Sequence, residues 1–177
     1  MGVFGYQGEH NSWEMLAYGA GNSMTACKFT MPDSGIGPRA VSLTAYLLNY
    51  DTVARKVFGA IYTHNAGTNK PDRLVGVTEE IQVPVGKNWT TFNFVVQPGL
   101  CPNTIYWLVL QAEDCNEYDG VSICYHTGAS EQEVYTAREY AAFPDPWVHG
   151  AYENFECCIY CTYVVPFMKV IHKRVTG

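Results

Sequence analysis

The sequence has little positive charge and lacks long hydrophobic runs, and each shortage excludes a class of protein. Its 11 lysine and arginine residues are outnumbered by 17 aspartate and glutamate residues, which gives a formal net charge of -6. This balance offers no broad positive field to a phosphate backbone, so we expect no nucleic-acid partner. No apolar run reaches the about 18 residues of a transmembrane helix, so we expect no membrane insertion.

Helical patterns and a secretion signal are missing as well. The first ten residues, MGVFGYQGEH, contain neither a basic region nor an apolar core, so the chain as given carries no signal peptide. Trimming of a signal before an added Met1 would leave the same sequence. What is abundant instead is 16 Gly, 9 Pro, 13 Tyr and 8 Phe, a composition typical of short strands broken by turns.

Alternating hydrophobicity predicts strands along most of the chain. Residues 39–50 place Val41, Leu43, Ala45 and Leu47 on one face and Ser42, Thr44 and Tyr46 on the other. The segment NWTTFNFVV alternates in the same way, with Trp89, Thr91 and Asn93 opposite Thr90 and Phe92. Residues 105–110 are apolar on both faces, which predicts a central, buried strand. Residues 12–18 fit either a strand or a short helical turn.

Roughly nine to eleven short strands follow from this pattern, at a spacing of about ten to fifteen residues. Such spacing favours an all-β fold, an antiparallel β-sandwich of jelly-roll type. The 177 residues suffice for one domain. We place the sandwich at residues 1–164 and a C-terminal extension strand or arm at residues 165–177, because Pro166 breaks the last strand.

Seven cysteines are dispersed through the chain. An odd and dispersed set is atypical of a secreted disulfide scaffold, so we expect most thiols to be reduced and packed as small hydrophobic groups. Cys115 and Cys124 flank the turn-rich NEYDG and are the candidate disulfide. Cys158 and Cys161 form a CxxC beside Cys157, but positions three apart on a strand face opposite sides and chelate a metal poorly.

No catalytic signature accompanies the five histidines. GxSxG, HExxH and the phosphate-binding loop are all missing, and Cys124 with His126 is most simply a chance neighbour pair on one strand face. We therefore predict no catalytic residues and no enzyme. The loop carrying Asp114, Asn116 and Asp119 is either a solvated acidic hairpin tip or a calcium site of irregular spacing.

Two segments are candidates for contact with a partner. Tyr135, Tyr140, Phe143 and Trp147 surround a proline-stiffened loop, where they could fold back onto the sandwich, stack on a sugar or anchor a protein interface. The tail offers Phe167, Met168, Val170 and Ile171, followed by the basic Lys173 and Arg174. It fits one more edge strand, or an assembly arm that adds its strand to a neighbouring subunit.

The order of segments resembles a known type of domain. FGYQGEHNS, CKFTMPDSGIGPRAVSLTAYL, GVTEEIQVPVGKNWTTFNF, LCPNTIYWLVLQAED, AFPDPW and IYCTYV, spanning about residues 3–164, are similar to a recurring β-sandwich domain. This domain occurs in phage and archaeal-virus structural proteins and in microbial surface or adhesin-like proteins, and in outline it resembles jelly-roll carbohydrate-binding modules. The resemblance implies a non-enzymatic structural or binding module, and it implies no cofactor beyond a structural calcium. It supplies no functional residues, and the tail departs from its pattern.

These observations together favour a structural assembly protein. We expect a virion component of the capsid-decoration, capsid or tail-fibre type, which self-associates into a homo-oligomer or binds other particle or surface proteins. Its expected location is a virion or an extracellular surface. The alternative is a carbohydrate-binding or adhesin module that uses the loop aromatics, and a third reading is a small polysaccharide-active enzyme on the same fold.

Overall fold

The computed structural model describes residues 1–18, 21–113, 120–148 and 150–166. Every regular element within these ranges is a β-strand, which confirms the predicted all-β class. None of the described residues forms a helix of the length and hydropathy that a bilayer crossing requires.

The described ranges contain 15 strands, more than the sequence predicts, because several strands have only two to four residues. Residues 12–18 form two of these short strands. The strands are β1 (Gly2–Gly5), β2 (Ser12–Met15), β3 (Ala17–Tyr18), β4 (Gly21–Thr30), β5 (Arg39–Asn49), β6 (Arg55–Asn65), β7 (Lys70–Val77), β8 (Ile81–Val83), β9 (Gly86–Asn93), β10 (Ile105–Ala112), β11 (Val121–Thr127), β12 (Glu133–Ala137), β13 (Ala151–Glu153), β14 (Phe155–Cys157) and β15 (Ile159–Val164).

Two antiparallel sheets make up the fold. The first sheet has seven strands in the order β1-β15-β5-β11-β14, with β9 paired to β5 and β2 paired to β11. The second has the order β13-β12-β4-β10-β6-β7, with β8 paired to β6 and the two-residue β3 paired to β4. Connections run repeatedly from one sheet to the other, since β4, β6, β10 and β12 belong to the second sheet and β5, β9, β11 and β15 to the first.

The main core lies between the sheets, and β5 shows how the sequence builds it. Leu43, Ala45 and Leu47 point inward and are fully buried, as their alternation predicts. Val41 departs from the predicted pattern. Thr162 pairs with Ser42 and Tyr163 with Ala40, so a bulge skips Val41 and places Ala40 in the core.

The prediction of a central β10 is also confirmed. It pairs with β4 on one side and β6 on the other. Leu108 and Leu110 face the main core, whereas Trp107 and Val109 face a second apolar cluster on the other side of the sheet. That cluster includes Phe143, from a loop of residues 138–148 that we call the covering loop. Both faces of β10 are therefore buried, which explains its unbroken apolar run.

The C-terminal segment FECCIYCTYV does not form one continuous strand. Its N-terminal part, β14, pairs with β11, and its C-terminal part, β15, pairs with β5. Cys158 lies at the bend between them, where its N–H donates to the Cys124 carbonyl at 2.7 Å. The chain beyond β15 is described only as far as Pro166, so the predicted arm residues lie outside the described part.

Gly5 holds the N-terminal segment against β15. Its φ of 113° belongs to the region that favours glycine. A Cβ at this position would meet the backbone of Ile159 and lie 2.6 Å from the Cα of Tyr160. No side chain larger than hydrogen fits without a backbone shift, so this glycine fixes where the chain leaves β1.

We predict that Gly5→Ala lowers the free energy of unfolding by more than about 1 kcal/mol, because it adds both strain and a backbone clash. Gly99→Ala is the matched control, since nothing lies within 4 Å of its added Cβ. This control should change stability by less than about 0.5 kcal/mol. Urea unfolding measures both, and equal stabilities of the two variants would contradict the proposed role of Gly5.

Candidate functional site

A row of aromatic rings crosses the outer face of the first sheet. Ring centroids lie 5.5 Å apart for Trp13 and Tyr46, 5.1 Å for Tyr46 and Trp89, and 5.8 Å for Trp89 and Tyr160. All four rings are half-buried, so each keeps part of its surface in contact with water. We call this surface the aromatic face.

Strand register brings these rings together. Tyr46 on β5 pairs directly with Trp89 on β9, and Tyr160 on β15 pairs with Thr44, two residues earlier on β5. Side chains at alternate positions of a strand share one face, so the inward Leu and Ala residues of β5 leave Tyr46 pointing outward. Trp13 reaches the same face from β2, on the far side of β11.

The N-terminal segment after Gly5 lies on this face and is bonded to it. The His10 N–H donates to the Cys124 sulfur at 3.2 Å, and the Cys124 thiol donates to the His10 carbonyl at 3.1 Å. Nearby, the Trp89 indole N–H donates to Glu9 Oε1 at 2.6 Å. This segment therefore closes one side of the aromatic face.

Two histidines extend the stacking beyond the four rings. The His126 ring lies 4.4 Å from Tyr6 and 4.7 Å from His10, centroid to centroid. His126 Nε2 also lies 2.7 Å from Glu156 Oε2, and the Tyr6 hydroxyl hydrogen-bonds His10 Nε2 at 2.7 Å. Cys124 and His126 therefore have different partners. The Cys124 thiol donates to the His10 carbonyl, and the His126 ring pairs with Glu156.

Polar groups border the rings. The Thr44 and Thr91 hydroxyls share a hydrogen bond of 2.9 Å, and the Lys87 ammonium lies 5.4 Å from the Trp13 ring centre. Desolvation, with the nearby Glu9 carboxylate adding to it, raises the pKa of Tyr46, so its phenol stays neutral at neutral pH. The face combines flat apolar surfaces with hydroxyl, carboxylate and ammonium groups at their edges.

The four aromatic residues predicted around the proline-stiffened loop differ in burial and in their contacts. Phe143 is only 7% exposed and packs on Phe58 with a centroid distance of 4.5 Å. The Tyr140 hydroxyl donates to Glu80, whereas Tyr135 lies half-buried in β12. Trp147 is half-buried against Tyr62, and its indole nitrogen is buried without a partner.

Hydrogen bonds fasten the covering loop to the second sheet. The Gln111 side-chain amide donates to the Glu139 carbonyl at 2.8 Å, and the backbone N–H of Trp147 donates to the Asp72 carbonyl at 2.8 Å. At its end, an open pocket lies between Trp147, Pro146, Asp72, Lys70 and Asn65. Most of the predicted loop cluster thus closes the second apolar cluster, and Trp147 alone of the four lines this pocket.

The cysteines of the CxxC separate as their spacing predicts. Cys161 points into the main core, whereas the Cys158 thiol contacts that of Cys124 near the aromatic face. Burial raises the pKa of both Cys158 and Cys161. In the described part of the chain, the side chains close enough to share a metal ion are instead Cys27, Glu133 and Cys157.

Two further predicted sites fall partly or wholly outside the described residues. The calcium candidates Asp114, Asn116 and Asp119 are outside them, and so is Cys115 of the candidate disulfide. Its predicted partner, Cys124, is a buried free cysteine.

Sequence reasoning missed the aromatic face as a group. The available signal was alternation, which placed Tyr46 and Trp89 on the polar sides of their strands and so predicted that both rings point away from the core. Their contact depends on pairing between strands more than 40 residues apart, and Trp13 came from a segment whose structure the sequence left open. Comparison with known proteins adds no further assignment, since neither a family model nor a curated protein matches the chain.

We predict that Phe143→Ala lowers the free energy of unfolding by about 3 kcal/mol, because it empties the contact between the covering loop and the second sheet. The control is Val148→Ala in the same loop, where the side chain is 38% exposed and the loss should stay below about 0.5 kcal/mol. Both values come from urea unfolding. A loss below about 1 kcal/mol for Phe143→Ala would contradict a structural role for this ring.

Proposed function

We propose that the protein is a non-enzymatic binding module whose aromatic face takes up a carbohydrate. The observation that carries this proposal is the row of Trp13, Tyr46, Trp89 and Tyr160, with neighbouring centroids 5.1–5.8 Å apart on an open sheet surface. Aromatic rings present flat apolar surfaces, and tryptophan and tyrosine add a polar edge.

A sugar ring matches this surface chemically. Its axial C–H groups form an apolar face that stacks on tryptophan or tyrosine, while its hydroxyls need donors and acceptors at the rim. Thr91, Glu9 and Lys87 supply such groups beside the rings. The four rings come from four strands, with β5 and its Tyr46 between the strands of Trp89 and Tyr160, so the surface spans several strands and suits an oligosaccharide.

Binding without catalysis is favoured by the pairing of the polar groups. Glu9 accepts from Trp89, and His126 pairs with Glu156, so these groups position rings and the N-terminal segment. The cysteine thiols near the face are buried, and burial raises the pKa of Cys158, which disfavours a reactive thiolate.

We further propose that the sandwich is a variant of the jelly roll. The alternation of successive long strands between the two sheets supports this, since jelly rolls build both sheets from connections that cross between them. A module of this kind would act on a virion or an extracellular surface, where glycans are displayed.

A structural subunit of a virion or surface assembly is the second candidate. Ile36, Val95 and Val96 are each about 75% exposed, and they lie on adjacent loops that are joined where the Ala40 N–H donates to the Pro98 carbonyl. Exposed aliphatic groups at one end of a domain favour contact between copies. Val164, the last residue of β15, lies one strand from the sheet edge, because β15 is paired with the edge strand β1.

We predict that glycan binding requires Trp89 on the aromatic face and does not require Trp147 in the covering loop. Trp89→Ala should weaken binding at least about tenfold, whereas Trp147→Ala should leave it unchanged, because Trp147 lies in the covering loop against the other sheet. Tryptophan fluorescence and calorimetry with soluble glucan, galactan and chitin-type oligosaccharides measure the affinities. Trp89→Phe, which keeps an aromatic surface, should restore part of the binding.

The opposite pattern would move the site to the pocket beside Trp147 and would contradict the aromatic face. Silence of the unmodified protein across the whole panel would reject the carbohydrate proposal.

The assembly candidate makes a separate prediction. Light scattering after size exclusion should show an oligomer that dissociates when residues 167–177 are deleted, if the tail contributes the contact. Ile36→Asp with Val96→Asp should dissociate it instead if the exposed loops contribute the contact. A monomer at all concentrations would reject self-association and leave the glycan proposal untouched.

A further inference from the structure

Two thiols and a carboxyl group meet between the sheets, away from the aromatic face. Cys27 on β4 and Glu133 on β12 are directly paired across the second sheet, and Cys157 approaches them from β14 of the first sheet. The two sulfur atoms and a carboxylate oxygen all lie within 4.8 Å of one another. We call Cys27, Glu133 and Cys157 the inter-sheet cluster.

The cluster is sealed from water but incompletely bonded. Glu133 is 0% exposed, and its Oε1 has no hydrogen-bond partner. Its Oε2 has only a long contact with the Cys157 thiol, at 3.8 Å. A buried carboxyl group in this state is costly, because nothing replaces the water that it loses on folding.

The surroundings of Glu133 are acidic. Glu153 is its direct pairing partner on β13, and Glu14 from β2 adds to the negative potential at Glu133. No ion pair of the described residues includes any of these three carboxyl groups. Desolvation, with the Glu14 and Glu153 charges adding to it, raises the pKa of Glu133 to about 8. The cluster thus combines a buried carboxyl group and acidic neighbours with no cationic partner among the described residues.

The geometry points to a site for a zinc-like divalent ion, held by the sulfur atoms of Cys27 and Cys157 and the carboxylate of Glu133. Two thiolates and one carboxylate are a donor set that zinc accepts, and a water molecule carried in with the ion would complete four-coordination. Tetrahedral zinc places its ligand atoms about 3.5 Å apart, so small side-chain rotations suffice to close the cluster.

One backbone hydrogen bond already reaches a sulfur atom of the cluster. The Cys157 N–H donates to the Cys27 sulfur at 3.2 Å. Outer-shell hydrogen bonds of this kind orient a metal ligand and stabilise its charge. Metal binding would release the thiol protons to solvent and would join β4 and β12 of one sheet to β14 of the other.

Zinc titration of the full-length protein, in competition with a chromophoric chelator, tests this proposal. We expect one equivalent of zinc per chain, and an affinity that falls at least about tenfold in Cys157→Ser and Glu133→Gln. Cys101→Ser is the matched control, because it removes an exposed thiol outside the cluster and should bind zinc unchanged. Cobalt in place of zinc should give a thiolate charge-transfer absorption that Cys157→Ser weakens.

Glu133→Gln keeps the shape of the side chain, and near-ultraviolet circular dichroism checks that each variant is folded. Zinc affinity that is unchanged in folded Glu133→Gln and Cys157→Ser would overturn the proposal, as would failure of the unmodified protein to bind zinc. A protein mass lower by two hydrogens, with Cys27 and Cys157 joined in peptide mapping, would assign the pair to a disulfide instead.

Discussion

Burial of both faces of β10 is the constraint on which the rest of the structure depends. Its inner residues fill the space between the sheets, and Trp107 and Val109 require a second apolar cover, which the covering loop provides through Phe143. The second sheet is thereby closed on its outer side by the chain itself. Among the described residues, the first sheet carries the N-terminal segment along one side of its rings, and the four rings of the aromatic face stay partly exposed.

The histidine stack beside the aromatic face and Cys157 of the inter-sheet cluster lie on opposite sides of the strand pair β11 and β14. On β11 and β14, His126 and Glu156 point outward, while the neighbouring Tyr125 and Cys157 are paired with their side chains on the inner side. Period-two alternation therefore places outward-facing Glu156 and the buried Cys157 thiol at adjacent positions of β14. An ion in the cluster would fix the position of β14, and with it Glu156 and the His126 ring that stacks beside Tyr6.

Much of the fold follows from local sequence, and the candidate sites follow from pairing. Alternation on β5 and β9 and the apolar run of β10 were sufficient to predict these strands, the inward Leu43, Ala45 and Leu47, and the all-β class. The bulge at Val41 and the bend at Cys158 were not predictable, because each depends on the register of a partner strand. Cys27, Glu133 and Cys157 lie up to 130 residues apart, so no local spacing reveals their cluster. Glu133 by itself also gave no sign of a buried site, because a single glutamate in a short strand is ordinarily solvated.

The pairing of β1 with β15 has a topological consequence. Gly2 lies opposite Tyr163, so β1 and β15, the first and last strands of the described residues, are hydrogen-bonded neighbours at the edge of a ladder that continues to β5. A domain closed in this way can be inserted into a loop of a host protein with both junctions at one point, or its ends can be joined and the chain reopened at an exposed turn. Such a permutation would change the order of the strands in the chain and keep their order in space.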